Sequence, residues 1–456
     1  MRLTDYKRMM NITVRFAPSP TGFIHIGNAR TALWNWLIAK QHGGTFILRL
    51  DDTDLERSTD AFADAIIEDL AWLGIKPDRF EKQSDRIARY TTEFERLKDA
   101  GLIYPAYETM DELDRKRKRQ QARGVPPVYD RSALALTAAE RDALEAEGRK
   151  PHWRFKLSGK PAEWEDGVRG HARIETSALS DPVLVRADGT VLYTFASVID
   201  DIDMGVTDVI RGEDHVANTG VQIEIFRALG STPPRFAHHN LIVAASGEEM
   251  SKRKGTLSLR SFREAGAEAC AVAAVAVLTG TSESVRPVHH LDELKPLVAL
   301  KKLSRSPTKF DPGEVMTLTA KMLHDSAYAN VAARLDFLSL SNEQVEALWY
   351  AVRTNLTKLD DMSEWKDIVF GSIKGEISEP DYLKSAINLL PQEPWDEATW
   401  GLWTDALKAE TSRKGKPLFM PLRQALTGVD HGPELKALLP LMGRAKALAR
   451  LHGQSA

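Results

Sequence analysis

A run of small residues, two prolines and one imidazole, Phe16-Ala17-Pro18-Ser19-Pro20-Thr21-Gly22-Phe23-Ile24-His25-Ile26-Gly27-Asn28, stands between an apolar strand-like segment and a helix-like one. Gly22 and Gly27 let the backbone approach an anion closely, and the start of the following helix offers unpaired N–H groups and a positive dipole end. His25 adds a donor that can follow charge as it moves onto a leaving pyrophosphate. Far downstream, Ser246 to Gly255 is a charged loop with glycine near both ends, carrying Met250-Ser251-Lys252-Arg253-Lys254. A lysine on such a loop, Lys252 by preference, can act as a point charge on a triphosphate. The two loops together imply an ATP-dependent adenylating site.

The elements that must position these loops follow from the apolar pattern. Thr13 to Ala17 reads as a strand, and Asn28 to His42 as a helix with Leu33, Trp36, Leu37 and Ile38 at helical spacing. Strand, turn and helix make the phosphate-binding end of a doubly wound unit. Thr45 to Leu50 is a second strand, ending in Asp51-Asp52-Thr53-Asp54, and Ala61 to Leu73 a helix stopped by Gly74. From Tyr104 to about Ser180 the pattern weakens into charged helices, Pro126-Pro127 and short alternating stretches such as Trp153 to Lys156 and Ala172 to Glu175, which reads as an insertion. Alternation resumes with Val183 to Val185, a turn at Asp188-Gly189 and a strand over Val191 to Ala196. Asp208 to Asp214 is another strand-to-loop transition, and Thr219 to Leu229 a helix. After Gly255 helices dominate, and from about Asp311 a tail of five or six helices without strands is expected.

Composition bounds the rest. A chain of 456 residues, 43% apolar and 27% charged, is globular and long enough for two to four domains. Its most apolar run, Ala269 to Leu278, is about half of the ~20 residues that a membrane-spanning helix needs. Met1 to Asn11 lacks the apolar core of a signal peptide and reads as a frayed leader, with Met9 or Met10 as an alternative start. The single cysteine, Cys270, excludes an internal disulfide and points to a reducing, cytoplasmic setting; in its alanine-rich helix it is expected to be small, apolar and buried. A net charge of −3 argues against a uniformly basic nucleic-acid binder, but basic residues cluster at Arg115 to Arg119 and Arg123, at Arg253-Lys254, and at Lys301-Lys302 with Arg305 and Lys309. Three such clusters separated by folded segments are consistent with a polyanion footprint.

Pro18 to Asn28 resembles the first signature of class I aminoacyl-tRNA synthetases, and Met250 to Arg253 the second. With Arg15 to Gly22, Asp52-Thr53-Asp54, Tyr193 to Asp201, Gly205 to Asp214, Leu418 to Gly428 and Gly432 to Leu435, the chain resembles bacterial glutamyl-tRNA synthetases over nearly its whole length. The resemblance implies an α/β fold: a Rossmann-like doubly wound catalytic domain with an α+β insertion, then an all-α anticodon-binding domain. The implied boundaries are 1–103 and 191–256 for the catalytic halves, 104–190 for an acceptor-stem-binding insertion, 257–312 for a stem-contact region and 313–456 for the helical domain.

The implied chemistry has two steps. Glutamate attacks the α-phosphate of ATP with Mg²⁺ present, and the 2′-hydroxyl of the terminal adenosine of the tRNA then takes the glutamyl group; relatives usually need bound tRNA before they activate glutamate well. By resemblance, His25, Gly27 and Lys252 are catalytic, and Pro18, Thr21, Gly22, His25, Gly27, Met250, Ser251, Lys252 and Arg253 surround ATP. Arg15 meets the side-chain carboxylate of glutamate with Tyr193, Arg211 holds the α-carboxylate, Ala17, Ser19 and Asp51 surround the amine, and Ser197 completes the pocket. A buried γ-carboxylate needs such a cation, and arginine supplies a two-pronged donor. The chain departs from the family pattern at Asp51, where Glu is common, at Ser197, where Asn is common, and at Glu249, which replaces a lysine. It reads Tyr104-Pro105-Ala106-Tyr107-Glu108 where many relatives place two zinc-binding cysteines, so no structural zinc and no metal ligand set are expected. The implied partners are tRNA(Glu) and L-glutamate, with no membrane and a monomeric chain. Whether tRNA(Gln) is also charged stays open at this point. Two alternatives stay open too: a catalytically retired tRNA-binding paralogue, disfavoured by intact His25, Lys252, Arg15 and Arg211, and glutamyl transfer to a modified tRNA base, disfavoured by the helical tail.

Overall fold

The computed structural model describes residues 12–54, 56–244 and 257–456, so Glu249, Met250, Ser251, Lys252 and Arg253 lie outside the described residues. Two compact units are present, Met1–Ala265 with Val272–Pro312, and Gly266–Ala271 with Gly313–Ala456. In the first, β1 (Thr13–Phe16) leads through the proline-rich turn into α1 (Ile26–Gln41). β2 (Thr45–Leu50), α2 (Asp60–Trp72), β3 (Arg79–Lys82) and α3 (Ile87–Asp99) follow. The three strands form a parallel sheet in the order β1-β2-β3. Phe46, Ile47, Leu48 and Leu50 have almost no exposure, as expected of a parallel strand covered on both faces. α1 is buried nearly all round, with Leu33, Trp34 and Leu37 at zero exposure, so its apolar spacing is not confined to one stripe. Thr59 caps α2 by accepting the Phe62 N–H, and the chain leaves that helix through Gly74 at φ +81°, a left-handed conformation that glycine takes without a Cβ penalty.

The middle of the chain contributes β4 (Ile103–Ala106), α4 (Met110–Ala122), α5 (Ala138–Ala146), β5 (His152–Phe155), β6 (Pro161–Asp166), β7 (Gly170–Glu175) and β8 (Val183–Val185). β4, β5 and β8 form a small antiparallel sheet, whereas β6 and β7 join a different one. That sheet has the order β7-β6-β10-β9, where β9 is Asp208–Gly212 and β10 is Arg235–His239, with β10 parallel to both neighbours. α6 (Tyr193–Asp203) precedes β9, and α7 (Val216–Ala228) connects it to β10. β11 (Ile242–Ala244) pairs in parallel with β12 (Thr308–Phe310).

The strand expected over Val191 to Ala196 is a correction. Val191 bridges Val185 and Leu192 is still extended, but α6 begins at Tyr193. Phe195, Ala196, Val198 and Ile199 are buried together at helical spacing, and this burial outweighs the β-leaning local composition. Cys270 is half-buried rather than enclosed.

From Pro312 to Leu451 there are eight α-helices, not five or six. The apolar pattern runs on across breaks that periodicity alone does not mark. At Gly443, with φ +76°, the helix Leu435–Met442 ends and Arg444–Leu451 begins. The core of this second unit gathers Leu348, Trp349, Met362, Val369, Trp403, Leu407 and Leu438, all with no exposure. Among the described residues no helix is long and apolar enough to cross a membrane.

Candidate active site

β1 and β9 lie side by side, bridged at their starts by the Thr207 N–H on the Thr13 carbonyl and the Thr13 N–H on Thr207 Oγ1, each 2.9 Å. Further along, Asn35 of α1 donates to the Ile210 carbonyl at 2.9 Å, serving a β9 group that no ladder bond to β1 takes. The strand order therefore reads β3-β2-β1, then β9-β10, with connections leaving in opposite directions. The crevice outside the carboxyl ends of such a pair is where open α/β sheets bind ligands. A cavity of about 480 Å³ opens there.

His25 occupies the N-terminal cap of α1. Its Nδ1 accepts the Gly27 N–H at 3.1 Å, which leaves the proton of the neutral ring on Nε2, and burial holds its pKa below the ordinary value. Asn28 Oδ1 accepts the His25 N–H in return. A Cβ on Gly27 would stand 2.9 Å from Cε1 of that ring, so the glycine is what lets the imidazole fold back over the helix start. Gly22 has open space around it among the described residues, none of which would meet a Cβ there. The Ile26 N–H bonds the Leu257 carbonyl, the Leu259 N–H bonds the Ile24 carbonyl, and Ile242 lines the cavity. The described residues on both sides of 245–256 thus reach this site.

Arg211, on β9, is 4% exposed and lines the cavity. It donates to Tyr193 Oη at 2.8 Å, Thr219 Oγ1 at 2.6 Å and Gln222 Oε1 at 2.8 Å, and through Nε to His238 Nε2 at 3.3 Å. His238 can accept there because its Nδ1 faces Asp166 at 2.5 Å, while burial keeps the imidazole below its usual pKa and neutral. All these partners are uncharged, and no carboxylate pairs with Arg211 among the described residues. A guanidinium so buried is costly without an anion, and desolvation accordingly lowers its pKa.

Arg15, on β1, is equally buried but already paired. Its Nε meets both oxygens of Asp201, at 3.1 and 3.3 Å. Asp201 also accepts from Arg49 at 2.8 Å, and Arg49 grips Asp51 at 2.7 and 3.2 Å. Burial raises the Asp51 pKa to about 6 against the pull of Arg49.

The cavity brings together Arg15, Ala17, Pro18, Ser19, His25, Gly27, Tyr193 and Arg211, all expected at the site. It does not include Thr21, Gly22, Asp51 or Ser197. Thr21 is exposed, in a turn whose N–H closes on the Ser19 carbonyl. Asp51, expected beside the amine, is held in the ion cluster by Arg49 and is not among the residues that line the cavity. Ser197 sits within α6, donating to the Tyr193 carbonyl and accepting from Gln222, so it touches Arg211 only through Gln222. Tyr193 is bonded to Arg211 and not to Arg15.

Residues not picked out from the sequence also line the cavity: Arg30, Thr31, Asp214, His215 and His239. His215 is held down to about pKa 4 and His239 to about 3, both by burial first and then by a neighbouring arginine. Each follows the carboxyl end of β9 or closes β10, the position that signals a crevice residue. Arg30 is wholly buried and ties α1 to the Ala276 and Thr279 carbonyls at 2.8 and 2.6 Å.

Comparison with known proteins agrees with this architecture. Residues 11–316 match the family described as tRNA synthetases class I (E and Q), catalytic domain, and residues 320–454 match an anticodon binding domain. Glutamate–tRNA ligase 2 of Methylorubrum populi is 59% identical over 443 residues, covering 97% of this chain and 99% of the relative. Glutamate–tRNA ligase 1 of Brucella canis is 53% identical, covering 97% and 100%. The crystal structure of a glutamate tRNA ligase from Elizabethkingia meningosepticum, in complex with its amino acid, superposes with a TM-score of 0.85 at 25% identity, covering 97% of this chain and 98% of that one. The chain belongs to the glutamate–tRNA ligase family of class I aminoacyl-tRNA synthetases.

Proposed function

We propose that this chain joins L-glutamate to the terminal adenosine of tRNA(Glu) in two steps at the β1–β9 crevice, acting as a monomer. The reading is carried by Arg211, a buried cation whose partners are all neutral and which faces a cavity of ligand size. Glutamate brings two carboxylates; of the three arginines lining the cavity Arg30 is spent on the Ala276 and Thr279 carbonyls and on Asn240, which leaves Arg15 and Arg211 for them. Arg15 takes the γ-carboxylate through the terminal nitrogens that Asp201 leaves over, and Arg211 takes the α-carboxylate with Tyr193 beside it. Ala17 and Ser19 border the amine; with Asp51 turned away, its recognition there runs through water.

In the first step a carboxylate oxygen of glutamate forms a bond to the α-phosphorus of ATP and the bond to pyrophosphate breaks. His25, neutral with its proton on Nε2, donates a hydrogen bond to the phosphates as negative charge gathers on the leaving group. Pro18 and Gly27 present bare backbone beside it, while Met250 to Arg253 supply the second side of the ATP site, with Lys252 as its point charge. In the second step the 2′-hydroxyl of the tRNA attacks the acyl carbon and AMP departs. Magnesium fits this donor set modestly: Asp214 offers one exposed carboxylate at the cavity, and phosphates and water supply the remaining ligands of such ions. The ion offsets phosphate charge when bound. In the insertion, Tyr104, Ala106 and Ala133 are buried together and Tyr129 and Leu136 pack on them, an apolar cluster that supports the reading that this region needs no structural zinc.

ATP–pyrophosphate exchange driven by glutamate, run with and without tRNA(Glu), tests the reading. Exchange is expected with tRNA present. No exchange under either condition would overturn the enzyme assignment and favour a tRNA-binding paralogue.

A further inference from the structure

Arg15 and Arg49 stand on adjacent strands, β1 and β2, whose register sets Arg15 opposite Ile47, so both guanidiniums leave the same face of the sheet. α6 meets them there with Asp200 and Asp201. Asp200, without exposure, is pinned from several sides: Arg86 Nε donates to it at 2.6 Å, Gln83 Nε2 at 2.8 Å and Tyr90 Oη at 2.9 Å, and Arg49 Nε stands 3.6 Å away. Asp201 follows it in the chain and is itself held by Arg49 Nη1, 2.8 Å from Oδ1. Of this whole cluster only Arg15 lines the cavity.

What the cluster leaves open is one end of Arg15. Both oxygens of Asp201 meet its Nε, at 3.1 and 3.3 Å, whereas its two terminal nitrogens take no acceptor among the described residues. A planar guanidinium gripped on its Nε edge is fixed in direction, and its terminal pair is the part left for a ligand. Arg211 is prepared differently, because both of its terminal nitrogens are already engaged by neutral oxygens. Arg211 contributes charge, and Arg15 contributes direction.

We propose that Asp201 is a specificity-determining positioning residue: its grip on Nε aims the terminal pair of Arg15 at the side-chain end of the bound amino acid, where a carboxylate is accepted and a carboxamide is not. This role rests on the reading that Arg15 takes the γ-carboxylate. A guanidinium fork has donors only, so it satisfies two carboxylate oxygens, whereas a carboxamide offers one oxygen and sets an N–H against the other prong. Leaving such donors unpaired in a buried site is how a polar pocket rejects the wrong substrate. Asparagine at 201 keeps the shape but has one oxygen where two now meet Nε. A donor is then set against a donor, and Arg15 swings off its aim.

The full chain is assayed with tRNA(Glu) present, as wild type, Asp201→Asn, Arg15→Met, Arg15→Lys and Arg15→Lys/Asp201→Asn, each with its melting curve, and kcat and KM are measured for glutamate and glutamine. Asp201→Asn is expected to raise the glutamate KM about tenfold, with a smaller change in kcat, and to narrow the glutamate-to-glutamine ratio of kcat/KM by a similar factor. Arg15→Lys should bind glutamate as poorly as Arg15→Met, because Asp201 captures the shorter ammonium. Adding Asp201→Asn then frees that ammonium and lowers the glutamate KM severalfold, opposite in sign to its effect on the wild type; the loss of a merely structural group does not reverse in this way. Asp201→Asn with wild-type KM and ratio, while Arg15→Met relaxes the ratio, would overturn this role alone. So would Arg15→Lys with a clearly lower glutamate KM than Arg15→Met, a comparison that stands even where Asp201→Asn fails to fold. An unrelaxed ratio in Arg15→Met would overturn the assignment of Arg15 to the γ-carboxylate, and this role with it.

Discussion

Arg211 keeps its charge available to the cavity because its direct partners are neutral, and Asp166 sets one of them. Asp166 fixes the tautomer of His238, and His238 then presents a lone pair, not a proton, to Arg211. Had a carboxylate stood in that position, the arginine would be neutralised before substrate arrived. Replacing Arg211 with Met should raise the glutamate KM by about 10²-fold, the scale of losing a charged hydrogen-bonded contact worth roughly 1.5–3 kcal/mol. Arg15→Met separates the two carboxylates: if Arg15 holds the γ-carboxylate, this variant and not Arg211→Met should relax discrimination against glutamine, measured as the ratio of kcat/KM values. Relaxation in Arg211→Met alone would exchange the two assignments. Burial also leaves an acid signature. His25, His152, His215, His238 and His239 all have folded pKa values below 6.5, so the unfolded chain takes up protons first. Their contribution is present above pH 6.5 and is lost as pH falls from 6.5 toward 4. Asp51 and Asp69, raised to about 6, act in the opposite sense between about 6 and 3.8. Five groups against two give a net loss, so the melting temperature of the first unit should fall by roughly a few °C from pH 7 to pH 5. A flat or rising profile would contradict these burial effects.

At the scale of elements, the signature turn works because one strand end, one glycine and one helix start meet. If His25 is the donor proposed here, Gly27→Ala should cost activation rate more than folding, since its Cβ meets the His25 ring at 2.9 Å and must displace it. Pyrophosphate exchange beside a melting curve checks that split, and a variant with lost stability but normal exchange would contradict it. Lys252→Ala should lower the activation rate more than it raises the glutamate KM. In the second unit Arg450, fully buried, donates to the Ile368, Leu426 and Gly371 carbonyls at 2.7, 2.7 and 3.1 Å, tying the last helix to the ends of two others. Arg450→Met takes this donor from the Ile368 and Leu426 carbonyls, leaving Gly371 to Lys446 alone, and should destabilise that unit by about 2–4 kcal/mol, read by denaturant unfolding. The strands β1, β2 and β9 and the helix α1 were legible in the sequence because their apolar runs are bounded by glycine, proline or aspartate. Val191 to Ala196 was not, because its alternation over six residues fits a strand and a half-buried helix equally. The contacts of Ser197 and Asp51 were not legible for a related reason: the sequence marks a polar residue near the crevice, but not that Gln222 or Arg49 engages it.

Across the whole molecule, residues 11–316 carry the chemistry and residues 320–454 match an anticodon-binding domain, so one chain holds both ends of a tRNA-charging task. His215 and His239 were not singled out, although both stand at strand ends facing the crevice; without coordinates nothing distinguishes them from the other histidines of the chain. The insertion's fold, by contrast, rests on an apolar knot around Tyr104, Ala106 and Ala133, so metal analysis should find less than about 0.1 zinc per chain and a chelator should leave the melting curve unmoved. Stoichiometric zinc would contradict this. The central claim is that the β1–β9 crevice loads glutamate onto tRNA. It is tested most directly by incubating the purified chain with ATP, Mg²⁺ and labelled glutamate or glutamine, with tRNA(Glu) and tRNA(Gln) in parallel, and measuring acid-precipitable label. Glutamyl-tRNA(Glu) and no glutaminyl product are expected, with label on tRNA(Gln) reporting how broadly the anticodon is read. Absence of glutamate on tRNA(Glu) from a folded, tRNA-binding chain would contradict it.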